Sequence, residues 1–176
     1  MTNRVVYRGR SITVREEEAR LPGGRTVVLD VVRHPGASAV VPFVSKEDVL
    51  LIRQYRHAAG GTIWEIPAGK LDGDSPEVCA RKELEEEAGR RAGRLERLGS
   101  VWTTPGFTDE VIHLFAAFDL ERVPQRLEED EVIECVIRPL RDAVEMVFDG
   151  EIRDAKSALA LLHAARRQGL LPLRSP

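Results

Sequence analysis

Apolar positions two apart recur on either side of a turn within residues 10–33. Ile12 and Val14, then Val27, Leu29 and Val31, stand two apart among polar neighbours, the period of a half-buried strand. Leu21-Pro22-Gly23-Gly24 lies between the two runs and supplies a turn, so the segment reads as a β-hairpin. A hairpin alone is marginal in water and must pack on a main domain or on a second subunit. Denser apolar runs follow at 39–44 and 49–55, with Ser45-Lys46-Glu47-Asp48 as the turn between them, and at 62–66. Residues 67–74, Pro-Ala-Gly-Lys-Leu-Asp-Gly-Asp, read as a loop that lets backbone approach a ligand closely. A helix is then expected over 76–88: Ser75 is a good N-cap, Pro76 suits the first helical position, and Gly89 is a preferred stop. Val78, Cys79 and Leu84 are its expected core contacts. Further strands are predicted at 95–102, 111–118 and 132–139. Two helices follow, 140–148 ending at Asp149-Gly150 and 156–168 ending at Gly169, the second with Ala158, Leu161, Leu162 and Ala165 as its apolar stripe. This order of elements predicts an α+β architecture, a mixed sheet with helices packed on it.

Charge changes the picture at the 76–88 helix. Glu83, Glu86 and Glu87 stand at i, i+3 and i+4, which projects three carboxylates from one face. Like charges stacked in this way cost a helix a few tenths of a kcal/mol per pair. A solvated acidic face accounts for most such runs, but Gly69, Gly73 and Gly89 bracket this one and have no solubility role. A hard divalent cation prefers carboxylate oxygens and would offset the repulsion. The segment therefore reads as a metal site on a loop-helix unit.

Composition narrows the class. The 176 residues, 43% hydrophobic and 31% charged, suit one ordinary globular domain. A net charge of -3 argues against a general nucleic-acid binder, which carries a basic stripe. The longest apolar runs fall short of a membrane span, and charges return immediately after the first residues, so neither a membrane segment nor a signal peptide is expected. Cys79 and Cys135 stand singly and apart, which predicts free thiols and a reduced, cytoplasmic setting. His57, His113 and His163 are scattered without zinc spacing, and neither Ser75 nor Ser100 has the Gly-x-Ser-x-Gly context of a serine hydrolase. Trp64 and Trp102 are more readily placed in a core than against a base.

Lys82-Glu83-Leu84-Glu85-Glu86-Glu87-Ala88-Gly89, opened upstream by Gly69, resembles the signature of the Nudix hydrolases. That signature joins a Gly and a first Glu to an Arg-Glu-aliphatic-x-Glu-Glu-x-Gly-aliphatic run. Three positions depart from it: the loop after Gly69 is one residue short and brings Asp74 to the place of the first Glu, Lys82 replaces the Arg, and Arg90 stands where an aliphatic residue is usual. A lysine cannot reproduce the bidentate contact of an arginine. Within the family, Pro105-Gly106-Phe107-Thr108-Asp109-Glu110, sixteen residues after Gly89, resembles the ADP-ribose and nucleoside-diphosphate-sugar pyrophosphatases, as does Arg53-Gln54-Tyr55-Arg56.

The resemblance implies a Nudix fold, an α/β/α sandwich spanning 37–176, with an amino-terminal β segment, 1–36, exchanged across a homodimer. It implies Mg²⁺, or Mn²⁺, held by Glu83, Glu86, Glu87 and the carbonyl of Ala68. It implies substrate contacts from Arg56, Arg53, Glu65, Pro105, Gly106, Asp109 and Glu110. A general base is expected from the acidic segment 128–134, with Glu131 as first choice and Glu129 as second, against the reading of a solvated loop. The reaction implied is hydrolysis of ADP-ribose to AMP and ribose 5-phosphate. Cleavage of other sugar nucleotides such as GDP-mannose is the alternative, and a non-catalytic ADP-ribose-binding module a third reading. Regulators of that last kind usually carry a DNA-binding domain, and no basic helix follows Gly169. A nucleoside-triphosphate-cleaning enzyme fits less well with the amino-terminal hairpin and Pro105.

Overall fold

A computed structural model describes residues 3–10, 12–129 and 131–171; Asp130, inside the acidic 128–134 segment, lies outside them. The expected hairpin is present as β2 (Thr13–Arg20) and β3 (Thr26–Arg33), paired antiparallel from Thr13↔Arg33 to Arg20↔Thr26. The structure adds β1 (Asn3–Arg8) along the outer edge of β2. The short run Val5-Val6-Tyr7 has no period-2 alternation to announce that strand, and all six of its residues are exposed.

The remaining strands are β4 (Ala37–Pro42), β5 (Asp48–Arg56), β6 (Gly61–Glu65), β7 (Ala68–Lys70), β8 (Arg90–Trp102), β9 (Val111–Arg122) and β10 (Ile133–Pro139). They form a three-stranded sheet, β10-β5-β6, and a four-stranded sheet, β7-β4-β9-β8. The β4–β9 pair is parallel and the others antiparallel, so the second sheet is mixed. Helix α1 (Pro76–Ala88) lies on one side of these strands; α2 (Leu140–Phe148) and α3 (Ala155–Arg167) lie on the other. Strand β4 shows why both sides need cover, since all six of its residues are buried. Val40 packs with Leu50, Ile52 and Phe115 against Ala80 and Leu84 of α1. Ala39 and Val41 pack with Leu51 and Leu114 toward Leu140 and Leu161. This is the α/β/α sandwich, of α+β class, that the resemblance implied. Among the described residues no helix is long and apolar enough to cross a membrane.

Helix α1 begins and ends where its caps predict. Ser75 Oγ accepts a hydrogen bond from Val78 N at 3.4 Å, and Gly89 adopts φ 58°, ψ 40°, donating its N–H to the carbonyls of Leu84 and Glu85. Four local expectations are corrected. Val78 is 51% exposed rather than a core contact, because the buried face of α1 runs through Cys79, Ala80, Leu84, Glu87 and Ala88. The start of the 67–74 loop is a strand, with Ala68 pairing with Ala39 of β4. Strand β8 starts directly after the helix at Arg90, extended by pairing with the far end of β9, Arg91↔Glu121. Trp102 is 67% exposed at the end of β8 rather than in a core. In α3 the buried stripe is Ala160, Leu161, Ala164 and Ala165, with Ala158 and Leu162 half-buried beside it.

Candidate active site

The end of α1 that carries the acids faces β7, and the contacts between them are polar. Glu87 is 2% exposed and its Oε2 accepts a hydrogen bond from Ala68 N at 2.8 Å. Glu83 lies flat on the backbone of Gly69: a Cβ at Gly69 would sit 2.2 Å from the Glu83 carboxyl carbon, so only glycine admits the acid there. Cys79, one turn earlier, donates its thiol to the carbonyls of Gly69 and Lys70 at 3.4 and 3.3 Å. β7 is thus stitched to the helix along its whole length. Glu86, on the same helix, has a carboxylate oxygen 3.8 Å from the ammonium of Lys82.

Glu83, Glu87 and Ala68 open onto a cavity of about 620 Å³. The 128–131 segment contributes Glu128 and Glu131 to its wall. The start of α3 contributes Asp154 and Lys156, and the end of β5 contributes Arg56. His34, Thr103 and Glu110 complete another side. The Arg56 guanidinium grips Glu65 with two hydrogen bonds, 2.7 and 3.0 Å, which fixes it as a fork. Glu65, itself 2% exposed, is shared with the ammonium of Lys156, which also meets Asp154 at 2.9 Å. Asp154 in turn caps α3 through Ser157 N at 3.0 Å, and Ser157 Oγ accepts from Ile66 N at 2.9 Å. One polar network therefore runs from the strand that carries Arg56 to the helix that carries Lys156.

On the opposite wall Glu110 accepts from Thr103 Oγ1 at 2.8 Å and lies 3.4 Å from His34 Nδ1. Asp109, next to it, binds the Arg33 guanidinium at 2.8 Å and His34 N at 2.9 Å. Val32 N also donates to Phe107 O at 2.7 Å, so the 104–110 loop is docked on the end of β3. Of the residues expected from the sequence, the structure gathers Arg56, Ala68, Glu83, Glu87, Glu110 and Glu131 around one cavity. Glu65 stands behind Arg56, and Asp109 stands behind the loop that presents Glu110. Arg53, Glu86, Glu129, Pro105 and Gly106 are not in its wall. Arg53 points to the other face of β5, with its guanidinium 5.4 Å over the ring of Trp64 and 3.2 Å from Glu134.

Sequence reasoning passed over Lys156, Asp154 and His34, and kept Glu128 only as a member of the acidic 128–134 segment. For Lys156 a signal existed: a cation in the first turn of a helix opposes the helix dipole and asks for a nearby carboxylate. For His34 none did, because its place depends on the docking of β3.

The electrostatics are unbalanced. Seven carboxylates of the wall face four Lys and Arg cations. Burial pushes Glu83 up to about 7 and Glu87 up to about 8, and neighbouring acids add to both. Two acids held this far from their ordinary range by desolvation and mutual repulsion fit a hard divalent cation, which would replace their protons. Among the described residues no three histidine, cysteine, aspartate or glutamate side chains are grouped so as to hold a metal ion by themselves.

Residues 32–161 match the family model of the NUDIX domain. The chain is 37% identical to an ADP-ribose pyrophosphatase of Bacillus subtilis (strain 168), over 94% of this chain and 91% of that protein. It is 36% identical to a methanol dehydrogenase activator of Bacillus methanolicus with the same coverage, and 40% identical to a GDP-mannose pyrophosphatase of Cronobacter sakazakii over 78% of this chain and 81% of that one. A crystal structure of an ADP compounds hydrolase superposes with a TM-score of 0.83 at 24% identity, covering 97% of this chain and 95% of the other.

The raised acids set a pH dependence. Glu83 and Glu87 hold their protons to higher pH when folded than when unfolded, where the ordinary value is 4.5. The metal-free protein therefore loses stability as pH rises from about 4.5 to about 8. A divalent cation that displaces those protons should stabilise more strongly toward the upper end of that window. Thermal unfolding in EDTA and in excess MgCl₂ between pH 5 and 8.5 checks this. The gap between the two melting curves is expected to widen with pH and to collapse in Glu83→Gln/Glu87→Gln; a gap independent of pH in both proteins contradicts it.

Proposed function

The chain belongs to the Nudix family, and from that premise we propose that it is a Mg²⁺-dependent pyrophosphohydrolase that splits ADP-ribose into AMP and ribose 5-phosphate. The observation that carries the reading is the meeting of the buried acids of α1, the fixed guanidinium of Arg56 and the loop acid Glu131 around one cavity. Its similarity to an ADP-ribose pyrophosphatase, over 94% of this chain and 91% of that protein, supports the choice of substrate.

Pyrophosphate hydrolysis demands charge neutralisation and an aligned water more than covalent chemistry from the protein. Glu83, Glu86 and Glu87, with the carbonyl of Ala68, would hold the metal, Mg²⁺ or in its place Mn²⁺. When bound, such an ion offsets the charge on the phosphoryl oxygens and lowers the pKa of water. Glu131, our first choice of base, takes the proton of the attacking water. The water oxygen bonds to one phosphorus as the P–O bridge breaks, and the bridging oxygen leaves with the other phosphate. Glu129 is the second choice. Arg56 binds a phosphate oxygen; because Glu65 grips it from behind, it does so without first ordering its own side chain. Glu110, buttressed by Thr103, offers acceptor oxygens to the hydroxyls of a sugar. Pro105, Gly106 and Asp109 shape the loop that presents it, while Arg53, on the other face of β5, lies outside the cavity.

The similarity to a GDP-mannose pyrophosphatase favours a second substrate class, other sugar nucleotides, at the same site. A module that binds ADP-ribose without cleaving it is the remaining reading. We further propose a homodimer in which the amino-terminal segment, residues 1–36, packs across the partner through the sheet formed by β1, β2 and β3. That sheet exposes Val5, Val6 and Tyr7 on β1 and Val28 and Leu29 on β3, with Tyr7 58% and Val28 59% exposed. Free Cys79 and Cys135 suit the reducing cytoplasm, where we place the protein.

AMP release from ADP-ribose with Mg²⁺, set beside GDP-mannose, UDP-glucose and dGTP, tests the substrate. ADP-ribose is expected to be turned over best, and Glu83→Gln and Glu86→Gln should each lower kcat by about 10²-fold or more. Preference for GDP-mannose would move the assignment to the second class; binding of ADP-ribose with no cleavage of any substrate would replace the enzyme by the module. Sedimentation of the same protein is expected to give twice the chain mass, and Val6→Asp/Val28→Lys to halve it; a monomeric wild type would sink the exchanged-sheet proposal.

A further inference from the structure

The loop that brings Glu128 and Glu131 to the cavity is fastened to the far end of the helix that carries the other acids. The end of a helix leaves carbonyls without helical partners, and at α1 residues 123–126 take them up. Arg126 N donates to Glu86 O at 2.9 Å, the Gln125 side-chain amide donates to Glu87 O at 2.5 Å, and Val123 N donates to Gly89 O at 3.1 Å. Gly89 lets the chain cross this closely, since a Cβ there would lie 2.9 Å from Val123 O. Beyond the clamp, Glu131 N donates to Glu128 O at 3.1 Å and Glu128 N to a Glu131 carboxylate oxygen at 2.8 Å, which closes a turn. The exit is held by Tyr55 N on Val132 O at 3.2 Å and by the β5–β10 ladder.

Residues 124–129 are all exposed, so no apolar burial sets the position of this segment. Hydrogen bonds set it, and Gln125 supplies the strongest side-chain donor among them. Cys135 also reaches Glu87 O, at 3.5 Å, but a thiol is a weak donor. The bond from Gln125 lands on the main-chain oxygen of Glu87, whose carboxylate faces the cavity, so it relates the two groups of acids through a single residue. We propose that Gln125 is a positioning residue that holds the loop acids Glu128 and Glu131 in register with Glu83 and Glu87. The proposal rests on the reading of a loop acid as the general base. Catalytic groups lose about 10²-fold when misplaced by about 1 Å, so a clamp of this kind affects turnover more than binding.

Gln125→Met keeps the length of the side chain and removes the donor. Its kcat for ADP-ribose is expected to fall about tenfold or more, with KM, Mg²⁺ affinity and the melting temperature near those of wild type. Placed in the Glu128→Gln/Glu131→Gln background, the same substitution should cause no further loss, because the acids it positions are gone. Wild-type kcat in Gln125→Met overturns the proposal. So does an equal loss in both backgrounds, or a loss that tracks Mg²⁺ affinity or melting temperature. The base assignment fails separately: Glu128→Gln/Glu131→Gln would then retain wild-type kcat, and the proposal would fall with it.

Discussion

The hydrogen bond from Ala68 N to the buried carboxylate of Glu87 is the contact on which the site depends. A carboxylate at 2% exposure costs several kcal/mol unless it is paired or coordinated. One backbone N–H offsets only part of that, which is why the acid stays far above its ordinary pKa. The same bond pins β7 against α1, and β7 brings Gly69 under Glu83. The fold therefore spends stability to hold two acids together in a half-dry place, a state that a divalent cation relieves.

A second network meets the first from the opposite side of the strands. Ser157 ties α3 to the backbone at Ile66, two residues before Ala68, while Asp154 and Glu65 hold Lys156. Glu65 also aims Arg56. Both helices thus converge on the β6–β7 junction, one with acids and the other with a cation. A pyrophosphate calls for both, since a cation held by the acids would offset the charge of its oxygens on one side and fixed donors would meet them on the other.

Much of this was legible in the chain because the signals were local. Ser75, Pro76 and Gly89 mark α1 through capping chemistry, and the i, i+3, i+4 spacing of its glutamates follows from helical geometry alone. The strands of the sandwich announced themselves by apolar runs. What failed was set by tertiary contact. Val78 faces solvent because the helix turns Cys79, Ala80 and Leu84 inward, a choice among adjacent apolar residues that depends on β4 and β5. β7 was taken for loop because a three-residue strand of Ala, Gly and Lys has no pattern of its own. The position of His34 was set by the docking of β3 on the 104–110 loop, which no local spacing encodes.

The central claim is that the acids of α1 hold the divalent ion. Electron paramagnetic resonance of Mn²⁺ titrated into the substrate-free protein tests it directly, because the signal of free Mn²⁺ falls as the ion is bound. The account predicts binding by wild type at neutral pH, retained in Arg56→Ala and lost in Glu83→Gln/Glu87→Gln. Equal binding by wild type and the double glutamine variant would place the ion elsewhere and contradict the account.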